Sequence, residues 1–388
     1  MSNNNKTPAI RFKGFTDTWE QRKLEEVITV GNGMDYKHLS EGDIPVYGTG
    51  GYMLSVDKAL SYDKDAIGIG RKGTIDKPYV LKAPFWTVDT LFYCIPKEDY
   101  SLDFVYCIFQ NVNWKEKDES TGVPSLSKVN INSTDVKVPT LAEQEKIGAY
   151  FAQLDNLITL HQRKYDKLTK VKKAMLQKMF PQNGANKPEI RFRGFTDAWE
   201  QRKLGEISES FEYGLNAAAT EYDGKHKYIR ITDIDDSTHL FLQDDLTSPD
   251  INFSTADDYL LQEGDVLFAR TGASVGKTYI YRRSDGDLYF AGFLIQAKIK
   301  SNYDADFVFQ NTLTDSYDSY IRITSQRSGQ PGVNAQEYAN FALSVPSLAE
   351  QKKIGAYFSH LDRLITLHQR KCDKYKSIKS GLIRKLFP

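Results

Sequence analysis

Two glycine-rich segments of this chain contain residue types that could bind phosphate groups. Gly68, Gly70 and Gly73 fit the G-x-G-x-x-G spacing of dinucleotide-binding loops, and residues 272–278 (GASVGKT) imitate a phosphate loop with one residue too few between the glycines. A dinucleotide site needs a helix after the loop, because the helix N-terminus holds the pyrophosphate. Residues 74–78 (TIDKP) contain a proline and no helical pattern. The sequence therefore predicts neither a dinucleotide site nor an ATP site.

The same two segments match each other in a way that suits contacts with nucleic acid. Each follows a predicted strand and combines glycine with small hydroxyl residues and two basic residues, Arg71 and Lys77 in the first and Arg270 and Lys277 in the second. Glycine lets the backbone approach a ligand closely. An arginine in a loop can bind guanine O6 and N7, or a phosphate. The alternative interpretation is a pair of solvated hairpins.

Two later turns also match, residues 120–127 (STGVPSLS) and 327–334 (RSGQPGVN). Both are rich in hydroxyl, amide and Gly-Pro chemistry. Hydroxyls and amides bind base edges or phosphates without adding net charge. An ordinary turn is the alternative for both segments.

Signals for catalysis are absent from the sequence. Glu350-Gln351-Lys352 spells the E-x-K of a nuclease core, but it falls in the first turn of a predicted helix, where capping accounts for Glu350. No serine occupies a G-x-S-x-G, and no methyltransferase tetrapeptide of the NPPF or DPPY type occurs. Four histidines stand in no metal-ligand spacing: His38, His226, His239 and His360.

The elements that must position these loops are revealed by an internal repeat. Residues 8–27 and 188–207, the two heads, are identical at fifteen of twenty positions. Residues 141–181 and 348–388, the two tails, are identical at 26 of 41 positions. The segments between them, about 28–138 (the first body) and 208–345 (the second body), look little alike. Constant ends around divergent bodies indicate one frame that holds two different recognition surfaces.

The tails are predicted to be long helices. Thr140 with Glu143, and Ser347 with Glu350, form capping boxes after a proline. About 40 residues at 1.5 Å each give roughly 60 Å of helix. A 3.5-residue period of apolar residues predicts a coiled-coil seam. Its main positions are Ile147, Phe151, Leu154 and Ile158 in the first tail and Ile354, Phe358, Leu361 and Ile365 in the second.

Polar residues interrupt the seam at matching places, His161 with His368 and Lys172 with Lys379. Buried polar positions in a seam often fix its register. Pairing of the two tails within one chain is favoured over pairing between chains. An antiparallel pair would place the bodies at opposite ends of a rod, and a parallel pair would place them side by side.

The bodies are predicted to be mixed α/β domains with short strands between Gly and Asp turns. The predicted strands include Ile44–Tyr47, Ala66–Ile69, Tyr79–Leu81, Tyr228–Ile231, Val266–Ala269 and Thr278–Tyr281.

Composition limits the class of protein. Lys and Arg total 51 and Asp and Glu total 51, so the net charge is zero and a general polyanion-coating protein is disfavoured. Positive charge is local: residues 161–178 and 368–388 each hold seven basic residues and one acidic residue. Three cysteines, none in a C-x-x-C, predict no disulfide or zinc scaffold. With no membrane-length apolar run and a polar start, we expect a cytoplasmic protein without a membrane partner.

The double tail with VP-x-LAEQ-x-KI, together with residues 264–281 (GDVLFARTGASVGKTYIY), resembles specificity subunits of type I restriction–modification systems. Residues 44–52 (IPVYGTGGY), residues 228–235 (YIRITDID) and the two Gly-Pro turns share this resemblance, which covers essentially the whole chain. It implies an α+β fold. Two mixed α/β target recognition domains would be joined by two long antiparallel helices, as a pseudo-two-fold internal duplication. The implied domains are residues 1–140, the helix 141–181, residues 182–347 and the helix 348–388.

The resemblance also implies partners and cofactors. Double-stranded DNA would be bound in two half-sites. Two methylase subunits would dock on the helix pair, and motor–nuclease subunits would complete the complex. The chain itself would hold no cofactor and perform no chemistry, because S-adenosylmethionine would bind the methylase and ATP and Mg²⁺ would serve its partners. The residues that match the family pattern and are predicted to contact DNA are Arg71, Lys72, Thr74, Lys77, Ser125, Ser127, Arg270, Thr271, Ser274, Lys277, Arg327, Gln330 and Asn334.

Three other functions compete with this interpretation. A stand-alone sequence-specific DNA-binding protein would use the same bodies without methylase or nuclease partners. A self-contained enzyme would need motifs that the sequence lacks. A pure coiled-coil adaptor would explain neither the size nor the divergence of the bodies.

Overall fold

The computed structural model describes residues 8–182 and 184–387, and the chain divides into two units. The first unit comprises Met1–His161 with Arg370–Pro388, and the second comprises Gln162–Gln369. The division falls inside both tails. Each unit therefore combines one head and one body with segments of both tails.

The elements of the first unit follow in chain order. They are β1 (Glu20–Lys23), α1 (Leu24–Val27), β2 (Ile28–Asn32), β3 (Glu41–Gly48), β4 (Gly51–Val56), β5 (Ala66–Gly70), β6 (Tyr79–Leu81), β7 (Trp86–Thr87), β8 (Leu91–Pro96), α2 (Leu102–Asn111), α3 (Lys128–Asn132), β9 (Asp135–Val138) and the first part of α4 (Leu141–Met179).

The second unit begins within α4 and repeats the plan. Its further elements are β10 (Glu200–Lys203), α5 (Leu204–Ile207), β11 (Ser208–Tyr213), β12 (Ala219–Glu221), β13 (Lys227–Ile229), β14 (Thr247–Pro249), β15 (Val266–Ala269), β16 (Thr278–Ile280), β17 (Leu288–Phe290), β18 (Leu294–Ile299), α6 (Ala305–Asn311), α7 (Asp315–Thr324), α8 (Ala335–Ala339), β19 (Ala342–Val345) and part of α9 (Leu348–Leu386). Short 3-10 helices lie at Trp114–Lys117, Ile231–Asp233, Phe253–Thr255, Asp257–Tyr259, Gly272–Ser274 and Arg283–Asp285.

Each body is clamped at its base by a strand from the head. The strand β1 pairs antiparallel with β9, and β10 pairs antiparallel with β19. The registers are equivalent, with Glu20 opposite Val138 and Glu200 opposite Val345. Trp19 and Trp199, just before these strands, are buried. The sequence between the paired strands can vary while the base of each body stays the same.

The two bodies share a sheet topology despite their dissimilar sequences. The first contains an antiparallel sheet of order β2-β8-β5-β6, and the second contains the equivalent sheet β11-β18-β15-β16. Each body also has one parallel pair, β3 with β7 and β13 with β17. The predicted α+β fold with an internal duplication is confirmed.

Two predicted strands end earlier than expected. The strand predicted at Thr278–Tyr281 ends at Ile280. The sequence also predicted a strand at Tyr228–Ile231, but β13 ends at Ile229 and a 3-10 helix begins at Ile231. The Asp233 carboxylate accepts hydrogen bonds from the Arg230 backbone N at 2.9 Å and from its Nε at 2.8 Å. These bonds draw the chain into a turn directly after the strand.

The two tails pair antiparallel within each unit. In the first unit, Asp155 of α4 binds Lys379 of α9 at 2.6 Å, and His161 stacks on Tyr375. In the second unit, Lys172 of α4 binds Asp362 of α9 at 2.6 Å. Since rising numbers in α4 meet falling numbers in α9, the predicted antiparallel pairing within one chain is confirmed. The lysines that interrupt the seam are held by an aspartate of the opposite helix.

The predicted seam residues lie in the cores of the units. Ile147, Phe151 and Leu154 belong to the core of the first unit, and their counterparts in α9 belong to the core of the second. Of the eight, all are buried except Ile158, which is half-buried: Ile147, Phe151, Leu154, Ile158, Ile354, Phe358, Leu361 and Ile365.

Each unit is completed by a phenylalanine from the far end of a tail. Phe180, after α4, lies with its ring centroid 5.5 Å from that of Phe307 in the second unit. Phe387, after α9, lies 5.8 Å from Trp19 and 5.7 Å from Phe104 in the first unit. The core of each body is therefore closed by the tail of the other repeat.

The first turn of each tail is tied to the head by an ion pair that the sequence analysis missed. Both carboxylate oxygens of Glu143 accept hydrogen bonds from Arg11, at 2.9 and 2.6 Å. Glu350 binds Arg191 in the same way, at 2.8 and 2.7 Å. Both glutamates are 1% exposed. The sequence predicts only a capping role for Glu350, whereas the structure shows a bidentate pair with Arg191, which is a strong constraint on the position of Glu350.

The glutamine after each glutamate ties the tail to the body. Gln351 accepts a hydrogen bond from the Asp304 backbone N, at the start of α6, and donates one to the Pro346 carbonyl. Gln144 joins Ser101, at the start of α2, to Pro139 in the same manner. Head, body and tail thus meet at one buried polar point in each unit.

A glycine one turn later allows the tail to cross the body helix closely. A Cβ on Gly148 would lie 2.9 Å from the Phe104 backbone N, and one on Gly355 would lie 3.1 Å from that of Phe307. Only glycine permits such an approach without displacing the backbone.

We predict that Arg191→Met destabilises the protein by about 3–5 kcal/mol, because it leaves a buried Glu350 carboxylate without its partner. The double variant Arg191→Met/Glu350→Met should recover most of that loss, since no charge stays buried. Urea unfolding measures both. The control is Arg202→Met, whose exposed partner Glu200 is paired at the surface and whose loss should cost under about 1 kcal/mol. Equal losses for Arg191→Met and Arg202→Met would contradict the assignment.

Candidate nucleic-acid interface

The two glycine-rich segments form hairpin loops. Residues 71–78 connect β5 to β6, and residues 270–277 connect β15 to β16. Gly73 and Gly272, at matched positions, have φ of 88° and 69°, a region that favours glycine. After each loop the chain returns as a strand, so neither loop has the following helix that a dinucleotide or phosphate loop requires.

In the first body, the hairpin loop is bonded to the hydroxyl-rich turn at 120–127. The Gly73 N donates to the Pro124 carbonyl at 2.8 Å, and the Leu126 N donates to the Arg71 carbonyl at 3.0 Å. Lys72 lies opposite Ser125 in a β-bridge. Two segments that the sequence analysis singled out separately therefore form one continuous surface.

The second body repeats this junction. The Gly272 N donates to the Pro331 carbonyl at 3.0 Å, and the Val333 N donates to the Arg270 carbonyl at 2.9 Å. Thr271 forms a β-bridge with Gly332, the counterpart of Ser125. The two bodies thus present their candidate residues on the same backbone scaffold.

The basic residues of the first body are available to a ligand. Arg71, Lys72 and Lys77 are exposed, and in the described chain no carboxylate lies within ion-pair distance of them. The Arg71 guanidinium lies 5.8 Å from the Phe92 ring centroid. Thr74, in the same hairpin loop, is half-buried.

Basic residues of the second body already have acidic partners. Lys277 forms an ion pair with Asp236, and its Nζ lies 3.4 Å from the Ile234 carbonyl. Arg327 donates to the Glu337 carboxylate at 2.6 Å and to the Thr324 carbonyl at 2.8 Å. Each of these two side chains must release its carboxylate partner before it can bind a phosphate.

Arg270 is instead supported by an aromatic ring. Its guanidinium lies 4.9 Å from the Tyr213 ring centroid, a distance typical of a cation–π contact. The Tyr213 hydroxyl accepts a hydrogen bond from the Ala335 N at 3.2 Å, which holds the ring in place. Arg270 is half-buried, and no ion pair of it occurs among the described residues. A guanidinium can bind a base or a phosphate through two N–H groups.

Several other candidates have structural partners. Ser127 caps α3 by accepting a hydrogen bond from Asn130 N at 3.1 Å, and Asn334 caps α8 in the same way. The half-buried Ser125, Thr271 and Ser274 lie within the junctions. The Gln330 Nε2 lies 2.8 Å from where a Cβ of Gly272 would be, so Gln330 covers the hairpin loop. A role in DNA contact remains a prediction for every candidate.

A third segment, just before β8 in the first body and β18 in the second, adjoins each surface and was not predicted from the sequence. The Arg71 N donates to the Thr90 carbonyl at 2.8 Å, and the Arg270 N donates to the Phe293 carbonyl at 2.9 Å. Phe293 is 59% exposed. No sequence pattern marks Thr90 or Phe293, because each comes close to its arginine only through the pairing of strands that are far apart in the sequence.

The described residues were also compared with the requirements for a membrane span and for a metal site. None of the helices within residues 8–182 and 184–387 is long and apolar enough to cross a bilayer. In the same residues, His, Cys, Asp and Glu side chains form no group of three or more that could hold a metal ion.

The sequence matches the family described as "Type I restriction modification DNA specificity domain" twice, over residues 16–170 and 196–375. These two matches span most of the chain, one for each repeat. The chain therefore belongs to the type I restriction–modification DNA specificity family.

Individual relatives agree with this assignment. The type I restriction enzyme MjaVIII specificity subunit of Methanocaldococcus jannaschii is 22% identical over 70% of this chain, and the putative type I restriction enzyme MjaX specificity subunit of the same organism is 25% identical over 49%. The matches span 65% and 45% of these relatives' own lengths. The crystal structure of the S subunit of a type I restriction–modification system from M. genitalium shares the fold, with a TM-score of 0.75 at 15% identity, over 98% of this chain and 99% of that one.

We predict that Asp236→Asn tightens binding of duplex DNA by up to about fivefold, because it frees Lys277 from its surface ion pair. The salt dependence should steepen by about one unit of slope if Lys277 then reaches a phosphate. Fluorescence anisotropy at several salt concentrations measures both. Asp258→Asn removes the same charge from an exposed residue of the second body and serves as the control. An equal gain in both variants would show a net-charge effect and no role for Lys277.

Proposed function

We propose that this chain is the DNA-recognition subunit of a type I restriction–modification complex, and that each body binds one half of a bipartite, asymmetric target. One observation carries the proposal. The same hairpin-and-turn junction, with an arginine at the same place, recurs in both bodies but displays different neighbouring side chains. A common scaffold with different surfaces suits two half-sites of different sequence.

The tails suit a role in spacing and assembly. Both are continuous helices of 39 residues, so their length and pairing would set the gap between half-sites. Leu160 and Leu367, at equivalent repeat positions, are 46% and 44% exposed on these helices. Apolar side chains that a helix repeats but leaves in water fit a docking surface for two methylase subunits.

The chemistry of the complex would belong to the partners. In this proposal S-adenosylmethionine binds the methylase, ATP and Mg²⁺ serve motor–nuclease subunits, and this chain supplies recognition alone. Its zero net charge suits a subunit that discriminates between sequences while its partners add phosphate contacts. Weak, salt-sensitive binding of random DNA is expected for the isolated chain.

Methylome sequencing of cells that express this chain with its methylase tests the proposal. We expect one asymmetric motif made of two short half-sites separated by a fixed gap. Replacing residues 28–138 by the corresponding segment of another family member should change one half-site only, because residues 208–345 of the second body stay unchanged and β1 stays available to pair with the last strand of the new segment. No methylation motif, or a change in both half-sites, would contradict it. Tight specific binding without any methylase would favour a stand-alone DNA-binding protein.

The spacing role predicts the effect of shortening the helices. Deletion of one heptad from α4 and its partner heptad from α9, roughly 10 Å of helix, should shorten the gap in the methylated motif while both half-sites keep their sequences. Paired deletions preserve the seam register, whereas deletion from α4 alone should prevent assembly. Methylome sequencing measures the gap. An unchanged gap in an active complex with the paired deletion would refute this role.

A further inference from the structure

An exposed phenylalanine, Phe293, lies next to the loop arginine of the second body. In the sheet, Ala269 of β15 lies opposite Leu294 of β18. Beyond this last pair, Arg270 begins the hairpin loop and Phe293 lies in the turn before β18. The Arg270 N donates to the Phe293 carbonyl at 2.9 Å. Phe293 is therefore the backbone neighbour of Arg270 at the candidate interface.

The backbone holds Phe293 in place while its ring stays in water. The flanking Gly292 N donates to the Leu215 carbonyl at 2.7 Å, and the flanking Leu294 N donates to the Ala291 carbonyl at 2.8 Å. Leu294 is fully buried, yet Phe293 is 59% exposed. A large apolar ring fixed at the edge of a binding surface favours contact with a ligand.

The first body differs at this position and keeps its arginine. Gly70 lies opposite Leu91 as the last pair of β5 and β8, and Thr90, in the turn before β8, accepts a hydrogen bond from the Arg71 N at 2.8 Å through its carbonyl. A constant arginine beside a variable neighbour is the pattern expected where the neighbour distinguishes one half-site from the other.

The chemistry of the duplex supplies a partner for such a pair. In the major groove, guanine offers O6 and N7 to arginine, and the 5-methyl group of thymine is the apolar feature that phenylalanine can contact. The Arg270 N and the Phe293 carbonyl oxygen are 2.9 Å apart, and stacked bases are about 3.4 Å apart. The side chains of these two residues can therefore touch neighbouring base pairs.

We propose that Phe293 contacts the 5-methyl group of a thymine in the base pair next to the guanine bound by Arg270. The half-site of the second body then contains adjacent thymine and guanine contacts, and Phe293 is a specificity-determining residue. This inference rests on the proposed function. The first body, with Thr90, makes a smaller contact and prefers a different neighbour.

Deoxyuridine tests the proposal, because it lacks only the 5-methyl group of thymine. The complex of this chain with its methylase is assayed on its methylome-defined site, with each thymine of the half-site of the second body replaced in turn. At one position, the loss of the methyl should weaken binding about fourfold for the unchanged protein, the effect of one buried methyl-sized group. At that position Phe293→Ala should bind both duplexes equally. This thymine should be next to the base pair at which Arg270→Ala loses its preference for one base.

Two further variants make the outcome decisive. Phe293→Thr, which places the residue of the first body here, should lose most of the methyl preference. Ile190→Ala, an exposed apolar residue of the head, should leave it intact. The proposal is overturned if Phe293→Ala changes the effect of deoxyuridine at no thymine position. It is also overturned if Phe293→Ala weakens binding of all duplexes by the same factor, which is the result expected if the ring inserts between base pairs. A complex with no bipartite motif at all would instead overturn the proposed function.

Discussion

The structure depends on a buried polar junction at the start of each tail. There a carboxylate enclosed by protein binds an arginine from the head, and the next residue, a glutamine, holds the first turn of a body helix. Burying a charge is costly unless it is paired, so head, body and tail must assemble in one geometry. The repeated residues in the heads and tails include those that form this junction and the helix crossing beside it. Most of the divergent residues lie in the bodies, where their side chains take no part in this junction.

Much of the fold could be predicted from the sequence, and the reasons differ between elements. The tails were predictable because a capping box and a 3.5-residue period of apolar residues are local signals, even though a few polar residues interrupt the period. Strands such as Val266–Ala269 were predictable because they are apolar and bounded by turns. The common strand order of the two bodies was not predictable, because sheet pairing joins distant segments and leaves no trace in pairwise identity. The pairing of Glu350 with Arg191 was hidden for the same reason, since 159 residues separate the two.

The candidate site was predicted in parts and assembled only by the structure. The two loops and two turns stood out by composition, and the backbone bonds between Gly272 and Pro331 and between Gly73 and Pro124 show that they form one surface in each body. The sequence could not show that Lys277 and Arg327 have acidic partners, whereas Arg71 and Lys72 have none among the described residues, because Asp236 and Glu337 look like any other acidic residue. It also could not show that Phe293 accompanies Arg270.

The exchange of tail ends between the units has a consequence for synthesis. The second unit is one continuous segment, Gln162–Gln369, and can close as soon as that segment has left the ribosome. The first unit needs Phe387 against Trp19 and Phe104, so its core stays open until residue 387 has been translated. Domains usually fold in the order in which they are made. Here the head and body that are made first are completed after the second unit, and a nonsense codon between those for Gln369 and Phe387 would leave the second unit closed and the first unit open.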